Sequence, residues 1–382
     1  MSLFLLTFLT IYGGVHAYAI YKAHTALALG WKASMAAIPP LAALLCGPLI
    51  AYFLGARGME EAARAVSWAA YTWMGLLFFF TWMNLALDGV NLLTRILTAA
   101  AGAGSRPLIA YGKPAFLALA GLSIAMGAYS MFEASRLRPE HLRIFTDKLP
   151  AATTRIRVAQ ISDVHLGWLV RHRDAAAIAE IVRAAEPDLF VSTGDLVDGR
   201  VNRLEGLAEI FREVRAPLGK YAVTGNHEFY AGIGMSLDFT RRAGFTVLRG
   251  ETVTAGNVLR IAGVDDPAGR AFGPGPGREE GEIFGDGSSP LFTLLLKHRP
   301  ILSSAARKAD VLQLSGHTHN GQIFPFRLLV RIWYPLLSGL YTPGGGGALY
   351  TSRGTGTWGP PMRFLSPPEV TIIDIERPPP RL

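Results

Sequence analysis

The sequence predicts two structural classes in one chain, an all-helical membrane domain followed by an α/β sheet sandwich. Three observations carry that prediction. Long apolar windows without a formal charge lie before residue 135. From residue 156 onward, short apolar strands ending in polar residues alternate with amphipathic helices. Several of those strand ends carry Asp, Asn and His in close groups, the residue types of a metal site.

Composition fits this division. The 382 residues leave room for two domains, 50% of them are hydrophobic and only 17% charged, with the apolar excess before residue 135. Mean hydropathy is +0.27. The single cysteine, Cys46, lies inside an apolar run, so there is neither a disulfide framework nor a thiolate metal site. A net charge of +8 suits contact with anionic lipid or a phosphate-bearing substrate. Nucleic acid is the rival explanation, and it is disfavoured because no Arg-Lys run interleaved with aromatics is present.

A bilayer core takes about 20 mostly apolar residues per helix. The windows Leu3–Tyr21, Ala33–Gly55, Val66–Leu87 and Pro114–Met131 predict four transmembrane helices in a domain spanning residues 1–135. Pro39-Pro40 should kink the second helix or end a turn there. Asn91–Ile109 is apolar but holds Arg95, Gly102, Gly104 and Arg106, so it reads as an interfacial segment. No basic residue precedes the first apolar core and no small-residue cleavage pattern follows, so a retained helix is expected in place of a signal peptide. Lys22 and Lys32 follow that helix, which favours a cytoplasmic loop and an extracytoplasmic second domain. Arg136, Arg138, Arg143 and Lys148 after the last window count the other way.

The second domain is expected over residues 136–382, because the chain turns charged at Glu133, Arg136 and Arg138. Strands are predicted at Ile156–Ile161, Asp188–Ser192, Lys220–Thr224, Val258–Val264, Leu291–Leu296, Val311–Ser315, Ala348–Ser352 and Glu369–Ile373. Helices are predicted over Asp174–Ala185 and Leu204–Val214. In such folds sites collect beyond the carboxyl ends of the strands. Two segments are irregular. Pro267–Pro290, dominated by Gly and Pro, should be a mobile loop, either inert or a lid. Ile323–Tyr341 is unusually apolar for a loop beside a polar site and is interrupted by Arg327 and Arg331. It is either core, or an interfacial element whose arginines sit at phosphate level, with Arg327, Arg331 and Trp333 as candidate substrate contacts.

Five motifs read as one binuclear metal site: Asp163-Val-His165, Gly194-Asp195-Leu-Val-Asp198, Gly225-Asn226-His227-Glu228, His298 and Gly316-His317-Thr318-His319. Asp163 and His165 are two apart at a strand end, so both can turn into one loop cavity. Asp195 follows a glycine and is placed to bridge two ions. Asn226 offers an amide oxygen, His317 and His319 can reach one ion each, and His298 supplies a further imidazole. Such a nitrogen and oxygen set binds Mn²⁺, Fe²⁺ or Zn²⁺. Two ions about 3.5–4 Å apart would polarise a phosphate and bring a bridging water towards a pKa of about 7, so that hydroxide attacks in line. His227 has no metal role left to fill and is the candidate general acid, with Asp198 to orient it. Glu228 could be a turn or capping residue.

These motifs resemble the calcineurin-like metallophosphoesterase superfamily, over about residues 155–375, and within it the bacterial membrane-associated YkuE-like branch. The similar text is Gln160-Ile-Ser-Asp-Val-His-Leu-Gly167, Gly219-Lys-Tyr-Ala-Val-Thr-Gly-Asn-His-Glu228, His298-Arg-Pro300, Leu314-Ser-Gly-His-Thr-His-Asn-Gly-Gln-Ile323 and Ser352-Arg-Gly-Thr-Gly-Thr-Trp358. The resemblance implies a four-layer α/β/β/α sandwich. It also implies one ion on Asp163, His165, Asp195 and His319, a second on Asp195, Asn226, His298 and His317, and His227 near the leaving group with Asp198 as partner. Glu228 stands where many relatives have Asp.

The expected function is phosphohydrolysis, of monoesters or diesters, at a membrane. Four helices exceed what a tether needs, which favours a lipid or lipid-linked phosphate as substrate and membrane lipids as partners; no protein partner is evident. The alternatives are a tethered phosphoesterase for a soluble nucleotide or phosphoester, a hydrolase of nucleotide-linked (UDP) acyl sugars of lipopolysaccharide synthesis, and a non-catalytic membrane scaffold.

Overall fold

The computed structural model describes residues 3–199, 204, 206–272, 277–285, 289–344 and 346–379. The chain divides into two compact units, Met1–Phe132 with Gly359–Met362, and Glu133–Trp358 with Arg363–Leu382.

The first unit is helical: α1 (Leu3–Leu27), α2 (Trp31–Leu45), α3 (Gly47–Ala56), α4 (Glu60–Ala100) and α5 (Lys113–Ala134). Among the described residues, α4 and α5 are each long and apolar enough to cross a membrane, and α2 with α3 makes up to one more as a span bent by 52°. The bend corrects the sequence expectation. Pro39 and Pro40 lie within α2, and the chain breaks later, where Gly47 and Pro48 open α3. A proline in the first turn of a helix forfeits no hydrogen bond. A Cβ on Gly47 would lie 2.3 Å from that of Ala70, so the break falls where α3 must approach α4 closely.

The interfacial segment expected over Asn91–Ile109 is likewise not separate. α4 runs unbroken to Ala100 because Arg95 is exposed on its surface, and Gly102 and Gly104, at φ +70° and +80°, come only after its end. The returning chain is then tied to the helix, as Asn91 Nδ2 donates to the Ile109 carbonyl at 2.9 Å and its Oδ1 accepts from the Ile109 amide at 3.0 Å.

The second unit contains two six-stranded sheets. Its strands are β1 (Arg138–Phe145), β2 (Arg155–Ile161), β3 (Leu189–Ser192), β4 (Lys220–Ala222), β5 (Thr246–Val247), β6 (Glu251–Ala255), β7 (Leu259–Gly263), β8 (Phe292–Leu296), β9 (Leu312–Ser315), β10 (Gly339–Tyr341), β11 (Ala348–Thr351) and β12 (Glu369–Glu376). Its helices are α6 (His172–Ala184), α7 (Leu207–Arg212), α8 (Asn226–Tyr230), α9 (Ile233–Arg242), α10 (Gly269–Phe272), α11 (Glu280–Phe284), α12 (Ser304–Lys308) and α13 (Phe326–Trp333). One sheet has the order β1-β12-β2-β3-β4-β5 and the other β10-β11-β9-β8-β7-β6. The runs β2-β3-β4-β5 and β7-β8-β9-β11 are parallel, so their carboxyl ends gather on one side of each sheet.

Strand alternation builds the layers. Val158, Leu189, Val191 and Ile373 pack against Ile261, Leu294, Leu296 and Leu314 between the sheets. Phe190 points to the opposite face and meets Ile178 and Val182 of α6, Phe211 of α7 and Phe239 of α9. Leu295 faces outward from the other sheet, towards Ile283 and Phe284 of α11 and Ala306 of α12. Each such side chain taken out of water contributes about 1.5–3 kcal/mol.

Four strands escape the sequence reading. The clearest is β1, whose Arg138, Glu140 and Arg143 belong to the charged stretch that opens the second domain; it is an edge strand paired parallel with β12, where charge is tolerated. The segment Pro267–Pro290 holds α10 and α11, with residues 273–276 and 286–288 outside those described. Within Ile323–Tyr341 the core alternative is excluded over α13, none of whose residues is buried; Ile332 is 71% and Trp333 81% exposed.

Candidate metal centre

Five of the seven candidate ligands occupy left-handed backbone: Asp163, His165, Asp195, His317 and His319, at φ between +49° and +69°. Such conformations cost about 1–3 kcal/mol each for non-glycine residues and persist where surrounding structure holds them. The loops after β2 and β3 hold one another here. Asp163 N–H donates to the Gly194 carbonyl and His165 N–H to the Asp195 carbonyl, each at 3.0 Å, and Asp198 N–H donates back to Leu166 at 2.8 Å. Close approach does the rest. A Cβ on Gly225 would lie 2.1 Å from Asp195 Oδ1, and one on Gly316 would lie 2.0 Å from Asp163 Oδ2, so only glycine fits before Asn226 and before His317.

The side chains converge in three groups whose candidate ligand atoms all lie within 4.8 Å of one another: Asp163, His165 and His319; His165, Asp195 and His227; and Asp195, His298 and His317. His165 Nε2 faces His319 Nε2 at 3.1 Å, with Asp163 Oδ1 3.4 Å from the latter. His298 Nε2 faces His317 Nδ1 at 3.1 Å, Asp195 Oδ2 at 3.2 Å and Asn226 Oδ1 at 3.2 Å. Asp195 Oδ2 is also 3.8 Å from His165 Nε2, so this carboxylate stands between the two imidazole pairs.

Burial lowers His165 to about 4 and holds His317 and His319 well below the ordinary imidazole value. These three rings are neutral, with lone pairs available. Burial acts in the same direction on His298, but the Asp195 carboxylate beside it prevails and raises it to about 10. The buried carboxylates thus draw positive charge into the cluster. Two neutral ring nitrogens aimed at each other at 3.1 Å need a proton or a cation between them, and nitrogen and oxygen donors without thiolate suit divalent Mn, Fe or Zn. The donor set fits two divalent cations.

His227 lies at the edge of this cluster. Its Nδ1 is 2.9 Å from Asp198 Oδ1, and its backbone N–H donates to Asp195 Oδ1 at 2.8 Å. Burial lowers its pKa, but Asp195 and the Asp198 hydrogen bond outweigh that and bring it to about 9. Arg327, Arg331 and Trp333 are not in the cluster. Among the described residues neither arginine bonds to a candidate ligand, Arg331 is exposed and Arg327 half-buried.

Several site residues have no sequence signal. Glu228, legible only as a possible cap, is a buried anchor: it accepts from the N–H groups of Asp195 (2.9 Å), Leu196 (2.8 Å) and Gly225 (2.6 Å), joining two ligand loops. Burial and the nearby Asp195 push its carboxyl up to about 7. Ser162 Oγ donates to Asp163 Oδ2 at 2.6 Å. Arg363, fully buried, brings its guanidinium to 3.2 Å from His319 Nδ1. Tyr334 places its hydroxyl 3.0 Å from His317 Nε2. The only available hint was proximity of Arg363 and Tyr334 to segments already singled out.

A mixed α/β sandwich with Asp, Asn and His converging on its strand ends is the architecture of a metal-dependent hydrolase. Residues 156–321 match the family profile described as calcineurin-like phosphoesterase. The chain is 42% identical over 256 residues to a metallophosphoesterase of Aquifex aeolicus (strain VF5), covering 67% of this chain and 98% of that protein. It is 31% identical over 276 residues to the metallophosphoesterase YkuE of Bacillus subtilis (strain 168), covering 67% of this chain and 93% of that one. It is 32% identical over 249 residues to a transmembrane protein with metallophosphoesterase domain from Danio rerio, where the match spans 62% of this chain and 56% of the relative. This chain belongs to the calcineurin-like metallophosphoesterase family and is a hydrolase of phosphoric esters, a class that works with divalent metal ions.

Proposed function

We propose that this protein hydrolyses the phosphate ester of a lipid or lipid-linked molecule at the surface of a bacterial cytoplasmic membrane. One observation carries the lipid reading. The exposed helix α13 ends at Trp333, and the next residue, Tyr334, reaches His317 Nε2 at 3.0 Å. Leu329, Ile332 and Trp333 share one helix face by their spacing, while Arg327 and Arg331 share another. An apolar face flanked by arginines is suited to lie among acyl chains with its cations at the phosphates. Four spans are proposed, α1, the bent α2–α3 pair, α4 and α5, with the second unit extracytoplasmic.

Asp163, His165, Asp195 and His319 would hold one cation, and Asp195, Asn226, His298 and His317 the other. When bound, the pair (Mn²⁺, Fe²⁺ or Zn²⁺) supplies Lewis acidity to the phosphate and lowers the pKa of a water to about 7. The chain supplies the remaining proton. Asp198 fixes His227 through Nδ1 and its carboxylate favours the protonated ring, so Nε2 can protonate the departing oxygen. Glu228 holds the Asp195 and Gly225 loops in register by accepting their N–H groups.

Changing Leu329, Ile332 and Trp333 together to Ser should cut the rate on a long-chain lipid phosphate in anionic vesicles at least tenfold. The rate on a small water-soluble ester should stay within about twofold, since Leu329, Ile332 and Trp333 are exposed. Equal loss on both substrates would end the lipid-surface reading.

A further inference from the structure

The His227 ring is walled by aromatics that the mechanism above does not use. The Tyr230 ring lies 5.4 Å away at 64°, and the Trp358 indole 5.9 Å away at 73°. Phe272 continues the wall, 5.1 Å from Tyr230 at 82°. All three are open to solvent, at 54%, 49% and 61% exposure for Tyr230, Trp358 and Phe272. They come from three separate segments: α8, the loop following β11, and α10. Two are fastened to the site itself. The Tyr230 hydroxyl is bonded to the Asn226 side chain. Gln322 grips the backbone of Trp358 at two points, donating from Nε2 to its carbonyl at 2.9 Å and accepting from its N–H at 3.0 Å. Gln322 does so from a left-handed backbone at φ +53°, three residues after His319.

We propose that Tyr230, Phe272 and Trp358 form the leaving-group subsite, and that it receives the hydrocarbon of an apolar alcohol. This rests on the reading of His227 as proton donor: the atoms beyond the departing oxygen must then lie beside the rings that flank His227. Large exposed rings converging at a polar site are the apolar part of a ligand pocket. The ring pairs cross at steep angles and so make a corner. A flexible methylene chain can follow every wall of a corner, whereas a flat base would cover one ring and leave the others wet. The subsite therefore fits the alcohol half of a lipid phosphate, the half that departs.

The test uses monomeric ethyl and octyl phosphates below their micelle concentration, without any membrane. They are given as monoesters or, if these are turned over faster, as methyl diesters read by the alcohol released. The octyl ester should be favoured at least tenfold in kcat/KM, and Trp358→Ala and Phe272→Ala should each reduce that octyl-to-ethyl ratio at least fivefold. Trp358→Phe should restore most of the ratio, which a merely structural role for the indole would not predict. Phe272 is exposed, so its variant reports even if Trp358→Ala fails to fold. Wild-type indifference to chain length, equal losses on both esters, or a preference for adenosine monophosphate abolished by Trp358→Ala would each overturn the proposal. Failure of the lipid-surface reading looks different: the Leu329/Ile332/Trp333 variant would keep full activity on vesicles while the octyl-to-ethyl ratio persisted.

Discussion

The two imidazole–carboxylate triads are alike at the front and different behind. Asp163, His165 and His319 form one, and Asp195, His298 and His317 the other. Nearest behind the second stand neutral dipoles, with the Asp266-paired Arg299 beyond Tyr334. His298 Nδ1 donates to the Thr193 carbonyl at 2.8 Å, and the Tyr334 hydroxyl lies 3.0 Å from His317 Nε2, an arrangement that orients rings without adding charge. Behind the first stands a cation. Arg363 is wholly buried, donates to the carbonyls of Gly356, Arg353 and Ser366, and lies 3.2 Å from His319 Nδ1. Burial lowers its pKa to about 10, which still leaves it charged at neutral pH. Arg299 stands near the second set and lowers His317, but its guanidinium is paired with Asp266 at 2.7 Å, whereas Arg363 spends its donors on carbonyls, so the two cation positions are unequal. The first should release its ion more readily, because charges at this range interact strongly in a buried setting.

The harshest way to break the comparison is to remove what the triads share. Asp195→Asn should abolish hydrolysis more completely than any other ligand change, and metal analysis should find both ions depleted. Retention of both ions with near-normal turnover would refute the bridging role.

His227→Ala comes next. It should keep its metals and lose about 10²–10⁴-fold in rate, the usual contribution of proton transfer. The loss should shrink for nitrophenyl esters, whose leaving group needs no proton. An equal defect on alkyl and nitrophenyl esters would remove the general-acid role.

The smallest effect sharpens the difference itself. A chelator titrated against the wild type should withdraw the ions in two steps, that of the Asp163 triad first. Tyr334→Phe should weaken the later step by about tenfold, the lower range for lost support behind a ligand, and leave the earlier one in place. A single shared step, or a shift in the earlier one, would show that the backing groups do not set the order.

The strand-end motifs were legible because their chemistry is local. Asp163 and His165, or His317 and His319, need only a strand to end where it does, and alternation of apolar residues in Ile156–Ile161 and Val311–Ser315 tells where that is. The backing groups were not legible. Arg363 follows His319 by many residues, and only the path of the chain after β11 brings its guanidinium to the Nδ1 side of that ring. The strand β1 was hidden for another reason: an edge strand half in water need not look apolar. In α13, apolar residues left core and interface both open, and only the fold shows the helix exposed, because composition reports what a side chain prefers and not what is available to cover it.

From the sequence alone came the class of chemistry, the seven candidate ligands, the candidate acid and its proposed partner, and the apolar character of the first unit. These depend on residue types at short spacing and on the period of hydrophobicity, which the chain carries locally. Tertiary structure decided that a buried cation backs one triad and a phenol the other, that Glu228 ties two ligand loops together, and that three aromatics wall His227. Each of these is a meeting of segments far apart in the chain. Such a meeting is set by the packing of two sheets and by left-handed turns at their strand ends, and no local pattern encodes it.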